Sequence, residues 1–233
     1  MNFRSLVVGA AACVLLVLTG CATKPQLPVP MNKAALNAQS ARVGVAMTSL
    51  PKVDTFFPGA NCLLCIATVS MANSSLTTYT KALTPEDLPK LKQAVAELVR
   101  QRGAEPVMIS DDVKPDAFPD RSVGADGGFA RKDYSAMQKK YGIDKLLLID
   151  VSMLGFERTY ASYFPTSDPK AVLRGSGALI DLKTHALEWY QPLAITRASD
   201  GAWDEPPKFP GLSNAYFQVI ELTKDEVLKS LKP

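Results

Sequence analysis

The sequence is poor in the residues that bind metals and carry thiol chemistry. Its 233 residues include one histidine, His185, and four cysteines, at positions 13, 21, 62 and 65. A structural zinc site needs four nitrogen or sulfur ligands, usually from a second CxxC pair or from paired histidines. Only Cys62 and Cys65 stand close together, and the sequence around them supplies no further ligands. We therefore expect no metal, and no cofactor of another kind is indicated.

A strong excess of charge of one sign is also missing. The formal net charge is +3, and Arg4, one of the positive residues, lies in an N-terminal segment that we expect to be removed. Nucleic-acid-binding domains carry a marked basic excess, so the sequence predicts no nucleic-acid partner and no electrostatic binding to a membrane. Hydrophobic residues make up 47% of the chain, which is enough for an ordinary core.

The common catalytic motifs are absent as well. The GADGG stretch at residues 124–128 fits neither GxGxxG nor GxxxxGK. Ser176 lies between glycines, but not in GxSxG, and inside a predicted strand, so we expect a structural role. Asp111 and Asp112 are neighbours in an extended segment and point apart, and His185 lies in a turn without an evident acid or nucleophile partner. The sequence therefore predicts a protein that is not an enzyme.

The N terminus carries a secretory signal. Residues 1–20 contain one positive charge, at Arg4, followed by an apolar core that is too short to span a bilayer. The sequence LTGC, which ends at Cys21, resembles the bacterial lipobox, in which the cysteine receives a diacylglyceryl group on sulfur and becomes the first mature residue. An ordinary signal peptide followed by a cysteine is the alternative. The lipobox predicts a palmitate-type lipid anchor that holds the chain on a membrane without spanning it.

The residues after Cys21 predict a location and a tether. Ala22 stands where the lipoprotein sorting rule expects aspartate for retention in the inner membrane, so the expected location is the periplasmic face of the outer membrane. The following segment contains Pro25, Pro28 and Pro30 and lacks a helix or strand period. We expect residues 21–40 to form an extended tether.

The remaining residues, 41–233, predict one α/β domain with a mixed sheet. The RVGVAM stretch at 42–47 reads as a strand. Residues 84–103 read as a helix with Thr84 as N-cap and an irregular first turn at Pro89, followed directly by a strand at 105–110. Helix, glycine and strand with so short a link are typical of an α/β fold.

The second half of the domain predicts a buried strand, an antiparallel meander and a C-terminal helix. Residues 144–152 contain LLLIDVS, an apolar run typical of a strand that is buried on both faces, at the centre of the sheet. The other predicted elements are a loop at 111–128, a helix at 130–141, antiparallel strands after residue 157 with a tight turn at 183–186, and a final helix at 212–231.

The order of elements and two short motifs resemble the TolB amino-terminal-domain-like group of envelope lipoproteins, the CsgG- and LpoB-like proteins. In that group a helix commonly ends in Gly-x-Asp before an apolar strand, and a later hairpin reads Asp-x-x-Thr-Gly, then an apolar residue and Trp. Matching residues here are Gly142, Asp144, Asp181, Thr184, Leu187 and Trp189, whereas His185 stands where glycine is usual. The resemblance implies a non-enzymatic lipoprotein that binds envelope proteins or forms a homo-oligomer.

The insert at residues 50–83 departs from the compact version of that domain. Within it, FFPGANCLLCIATVSMAN holds more apolar side chains than one face of a short helix can bury. Such a surplus predicts an interaction surface, and the alternative is that the insert completes the core. The candidate surface residues are Phe56, Phe57, Leu63, Leu64 and Ile66.

Cys62 and Cys65 leave two interpretations open. In an oxidising periplasm they can form a local disulfide, or remain two buried thiols, that braces the insert. At the start of a helix capped by Asn61 they can instead carry thiol–disulfide exchange, because the helix dipole lowers the pKa of the first thiol. The sequence thus favours a lipid-anchored binding or assembly module for a secretion, organelle or peptidoglycan-synthase complex, with a periplasmic thiol–disulfide protein as the alternative.

Overall fold

The computed structural model describes residues 25–32, 34–37, 41–85, 87–121 and 127–232. The predicted signal peptide at residues 1–20 and the predicted lipidation site at Cys21 lie outside the described residues. Within the described part, no helix combines the length and the apolar character needed to cross a bilayer.

The fold is α/β with a mixed sheet, as predicted. The helices are α1 (Leu63–Ala72), α2 (Ser74–Lys81), α3 (Lys90–Gln101), α4 (Ser135–Tyr141) and α5 (Pro210–Ser230). The strands are β1 (Arg42–Met47), β2 (Asp54–Phe56), β3 (Glu105–Met108), β4 (Lys145–Glu157), β5 (Tyr160–Ala161), β6 (Phe164–Pro165), β7 (Lys170–Asp181) and β8 (Leu187–Ala198). A short 3-10 turn covers Pro115–Ala117.

The main sheet has the strand order β3-β1-β4-β7-β8. Strand β1 lies parallel to β3 and β4, whereas β7 is antiparallel to both β4 and β8. Because β4 is 13 residues long, its second half extends past β1 and pairs with the short parallel strand β2. The prediction that LLLIDVS forms the central strand is confirmed, and the strand continues beyond residue 152 to Glu157.

Both faces of β4 are buried, in two separate cores. Leu147 and Ile149 point to the larger core, which contains the apolar faces of α3 and α5. Leu146 and Leu148 point to the opposite face, where α4 and the segment before it cover the sheet. Since successive side chains of a strand point to opposite faces, the four consecutive apolar residues at 146–149 supply both cores.

Helix α3 begins later than predicted. The first helical residue is Lys90, so Thr84 is not the N-cap and the prediction is wrong on this point. Before Lys90 the chain forms tight turns, in which Leu88 N–H donates to Pro85 O and Lys90 N–H donates to Asp87 O, both at 3.1 Å. Because Pro89 has no N–H to donate, the regular helix forms only after it.

The described part of the predicted tether is packed on the domain. Val29 exchanges two backbone hydrogen bonds of 2.9 Å with Tyr190 of β8, and Leu36 is fully buried in the larger core. Strand β8 is an edge strand whose free N–H and C=O groups can bind another extended segment. A free tether over residues 21–40 and a body that begins at Ala41 are therefore wrong for residues 29–36.

The β7–β8 turn places His185 in a backbone conformation that favours the glycine usual at this position. Asp181 Oδ1 accepts hydrogen bonds from Lys183 N–H (3.0 Å) and from Thr184 N–H (2.7 Å) and hydroxyl (2.8 Å). His185 then adopts a φ of 61°, which is in the left-handed region that glycine occupies at least cost. The turn has the geometry that favours glycine and tolerates histidine.

The antiparallel strands predicted after residue 157 do not all belong to the main sheet. Strand β4 ends at Glu157, and β5 and β6 form a small separate hairpin. Tyr160 in this hairpin donates its N–H to Pro58 O at 2.8 Å, so the hairpin lies against the start of the insert. Hairpin and insert together form one end of the molecule.

Candidate functional site

Helix α1 carries its apolar side chains on the outside. Its ten residues, LLCIATVSMA, include no charged side chain. A surface helix normally turns one apolar stripe to the core and its polar residues to water. Here the large side chains are exposed to solvent by 90% at Leu63, 66% at Leu64, 48% at Ile66 and 78% at Met71. We call these four residues the α1 patch.

A small core separate from the two main ones holds α1 in place. Cys65 and Val69 are the buried residues of the helix, and they pack on Ala60 and Tyr160. Phe57 completes this cluster, with its ring edge-on to Tyr160 at a centroid distance of 5.9 Å. The helix therefore contacts the domain through one narrow side and exposes the remainder of its surface.

A buried asparagine fixes the C-terminal end of α1. The Asn73 side-chain amide donates to Val69 O at 2.8 Å and to Tyr160 Oη at 2.7 Å. Its Oδ1 accepts a hydrogen bond from Arg158 Nη1 at 3.1 Å. Since Arg158 and Tyr160 both follow β4, Asn73 connects the helix to the central strand of the sheet.

Replacing Asn73 with alanine should therefore loosen α1. The change removes three side-chain hydrogen bonds and leaves the buried Tyr160 hydroxyl without its donor, whereas Val69 O keeps the backbone N–H of residue 73 at 3.0 Å. We therefore expect the free energy of unfolding to fall by about 1–3 kcal/mol. Urea unfolding measures this loss. The matched control is Asn61→Ala at the other, exposed end of the helix, with an expected change within about 0.5 kcal/mol. Equal stability of Asn73→Ala and the native chain would show that Asn73 does not anchor the helix.

A disulfide between Cys62 and Cys65 closes the N-terminal turn of α1, with a Cα–Cα distance of 4.9 Å. Cys62 is the N-cap residue, and its Sγ accepts a hydrogen bond from Cys65 N–H at 2.9 Å. Cys62 is exposed, and its sulfur lies 3.7 Å from Tyr163 Oη of the β5–β6 hairpin, whereas Cys65 is buried in the small core. The bond braces the start of the helix and leaves one sulfur accessible.

The predicted surface residues divide into two groups. Leu63, Leu64 and Ile66 are exposed, whereas Phe56 on β2 and Phe57 in the small core are only partly exposed. Met71 was missing from the prediction, although it lies seven residues after Leu64 and therefore on the same helix face.

A cavity lies on the face of the sheet that α4 covers. This cavity of about 460 Å³ is lined mostly by apolar side chains, together with Tyr134, Asp150 and Ser176. Burial raises the pKa of Asp150, although its Oδ1 accepts a hydrogen bond from Thr48 Oγ1 at 3.0 Å. Burial, with the nearby Asp150 charge, also raises the pKa of Tyr134 to about 12. Both shifts oppose ionisation of these groups.

The other polar residues singled out in the sequence form separate local networks. Asp111 accepts hydrogen bonds from Lys140 and Tyr141, which lower its pKa, whereas Asp112 is bonded to Ser49. His185 Nδ1, in the β7–β8 turn, lies 3.9 Å from an Asp133 carboxylate oxygen. Among residues with a described position, no group of three or more His, Cys, Asp or Glu side chains could hold a metal ion.

Comparisons with known proteins give only distant structural likenesses. No family model and no curated protein matches the sequence. The PelC dodecamer from Paraburkholderia phytofirmans is similar to this chain at 13% identity, with 91% of this chain and 96% of that chain covered and a TM-score of 0.35. A DUF330 protein from Xanthomonas campestris is similar at 14% identity, with 89% and 92% covered and a TM-score of 0.36.

The lipoprotein GNA1162 from Neisseria meningitidis is similar at 12% identity, with 81% of this chain and 99% of that chain covered and a TM-score of 0.27. Scores this low assign neither a family nor a function to this chain. The resemblance to the TolB amino-terminal-domain-like group accordingly stays a prediction.

Proposed function

We propose that this chain is a lipid-anchored, non-enzymatic binding or assembly module on the periplasmic face of the bacterial outer membrane. The observation that carries the proposal is the α1 patch, which exposes four large apolar side chains at one end of a well-packed domain. Exposed apolar surface of this kind marks a site of interaction with a protein or a membrane. The lipobox-like sequence that ends at Cys21 supplies the anchor.

The module serves a larger envelope complex, such as a secretion apparatus, the base of a surface organelle or a peptidoglycan synthase. Its function in that complex is to bind envelope proteins or further copies of itself. The edge strand β3 and the cavity next to Asp150 offer surfaces for such partners in addition to α1.

Crosslinking in living cells tests this function. A photo-crosslinking amino acid is placed at Met108, which is 42% exposed on the edge strand β3, and at Leu64 in the patch, with Phe217, which is 50% exposed on α5, as a control. Mass spectrometry of the adducts should identify discrete envelope partners, or a second copy of the chain, at Met108 or at Leu64 and not at Phe217. Adducts at none of the three positions, together with a monomeric chain throughout, would rule out an assembly function.

A separate labelling experiment in cells tests the lipid anchor alone. A metabolic label of palmitate should appear on the native chain, and Cys21→Ser should abolish it and release the chain from the membrane fraction. Retention of the label in Cys21→Ser would place the lipid on another residue, and absence of the label from the native chain would exclude the anchor.

A thiol–disulfide function is the second candidate, and the position of the cysteines favours it. Cys62 is exposed at a helix N terminus, where the helix dipole stabilises a thiolate, and Cys65 is buried three residues later. This order gives an accessible attacking sulfur and a protected resolving sulfur, which disulfide exchange requires.

The double variant Cys62→Ser, Cys65→Ser separates the two functions. If the disulfide is a brace, the variant keeps its envelope partners and loses about 1–2 kcal/mol of unfolding free energy, since a short loop gains little from a crosslink. Mixed disulfides with other envelope proteins, present in the native chain and absent from the variant, would instead establish redox chemistry.

A further inference from the structure

The surroundings of α1 are free of charge over a long stretch of chain. From Thr55 to Thr80 the sequence contains no Asp, Glu, Lys, Arg or His. About a quarter of the residues in an ordinary soluble domain are charged, and surface segments carry most of them. A segment without any charge avoids the high cost of placing an ion in a membrane.

The apolar side chains of α1 also point in several directions. Residues advance by about 100° along a helix, so Leu63, Leu64 and Ile66 lie on different sides of the axis. The buried residues Cys65 and Val69 occupy one narrow side, towards the domain. A groove in a partner protein contacts one stripe of a helix, whereas lipid surrounds every exposed side. The distribution of side chains therefore fits lipid better than a protein groove.

The length of α1 and its neighbours fit the edge of a bilayer. Ten residues form a helix about 15 Å long, half the roughly 30 Å of a hydrocarbon core. Beside Cys62, the β5–β6 hairpin carries Tyr163 and Phe164, whose side chains are 42% and 74% exposed. Aromatic residues concentrate at the membrane–water interface, so hairpin and helix suit the same layer.

We propose that α1 inserts into the membrane interface, with the acyl chains of the bilayer as the occupant of the α1 patch. The insertion rests on the lipid anchor of the proposed function and adds a second membrane contact. The cavity beside Asp150 and the free edge of β3 lie outside the α1 patch and stay accessible to envelope partners.

Photolabelling from within the bilayer tests the insertion. The full lipidated chain is placed in phosphatidylethanolamine/phosphatidylglycerol vesicles that contain a phospholipid with a diazirine on its acyl chain. After illumination, mass spectrometry should find lipid adducts within residues 63–71 and none at Phe217. The variant Leu64→Ser, Met71→Ser should reduce these adducts roughly tenfold or more, because two apolar side chains no longer leave water. Both positions are exposed, so the fold should be unaffected.

Each other result has a distinct meaning. A chain that binds the vesicles through its lipid but shows no adducts at α1 overturns the insertion and leaves the anchor intact. Crosslinks from α1 to a second copy or to another protein, in place of lipid adducts, overturn it in favour of a protein occupant. A chain that fails to bind the vesicles overturns both the anchor and the insertion. Phe217→Ser serves as the matched variant and should leave the adducts at α1 unchanged.

Discussion

Replacing Gly155 with alanine should lower the free energy of unfolding by about 3 kcal/mol or more. Gly155 lies near the C-terminal end of β4 with a φ of 146°, which side-chain-bearing residues rarely adopt. A Cβ atom there would lie 1.9 Å from Asp54 O and 2.9 Å from Asp54 N, in the backbone of β2. Backbone atoms cannot rotate away, so β2 must separate from β4, and backbone strain adds to the cost.

Urea unfolding of Gly155→Ala measures this loss, and Gly103→Ala provides the control. Gly103 also has a positive φ, 98°, but a Cβ there meets no atom within 4 Å. Its substitution carries the backbone strain alone, for which we expect about 1 kcal/mol. The difference between the two variants isolates the clash with β2. Equal losses would mean that β2 moves without cost, and that the insert is not held by this pairing.

Because β2 leads directly into the insert, Gly155→Ala should also disturb α1 before it affects the rest of the domain. Strand β2 is three residues long and pairs with the last residues of β4. The part of the larger core around Leu147 and Val95 lies where β4 pairs with β1, away from Gly155. Hydrogen exchange should therefore show loss of protection first in residues 54–81.

The elements that the sequence predicted well are those with a signal inside the element itself. LLLIDVS reads as a central strand because both faces of β4 require apolar residues, and the structure places it there. Gly142 ends α4 in the left-handed conformation, and Asp181 organises the turn that its spacing to Thr184 suggests. In each case the determining residues lie within a few positions of one another.

The elements that the sequence predicted poorly depend on contacts from distant parts of the chain. Nothing in the proline-rich segment around Val29 signals a strand, because the pairing is offered by Tyr190 at the open edge of β8. The start of α3 was misplaced for a local reason: Thr84 and Pro85 have the composition of a helix start, and Pro89 overrides them.

The candidate site depends partly on local sequence signals and partly on contacts from distant parts of the chain. The apolar surplus of the insert is visible in the sequence, and Leu63, Leu64 and Ile66 are exposed in the structure. Which side of α1 faces the domain is decided by Tyr160, almost a hundred residues away in the chain, and the contribution of Asn73 was not recognised for the same reason. A buried hydrogen-bond centre of this kind leaves no periodic signal in the sequence.

The contact between Trp189 and Gly177 is the second large determinant of stability. Trp189 lies on β8 and is almost completely buried in the larger core. A Cβ atom at Gly177 of β7 would lie 2.2 Å from its Cη2 and 2.7 Å from its Cζ3, so the indole ring occupies the space that a side chain would need. The glycine in the GSG sequence therefore serves packing, and it explains the motif without a catalytic Ser176.

A double-mutant cycle tests this contact. Trp189→Ala should cost about 3–5 kcal/mol through the cavity that it leaves, and Gly177→Ala about 1–3 kcal/mol through the clash with the ring. In the double variant the new methyl group enters the space that the indole has vacated, so Gly177→Ala should cost almost nothing there. Urea unfolding followed by far-ultraviolet circular dichroism measures all four proteins, since the main fluorophore is removed. If the two single costs add to within about 0.5 kcal/mol in the double variant, the two residues are not coupled, and Gly177 is required for a reason other than its contact with Trp189.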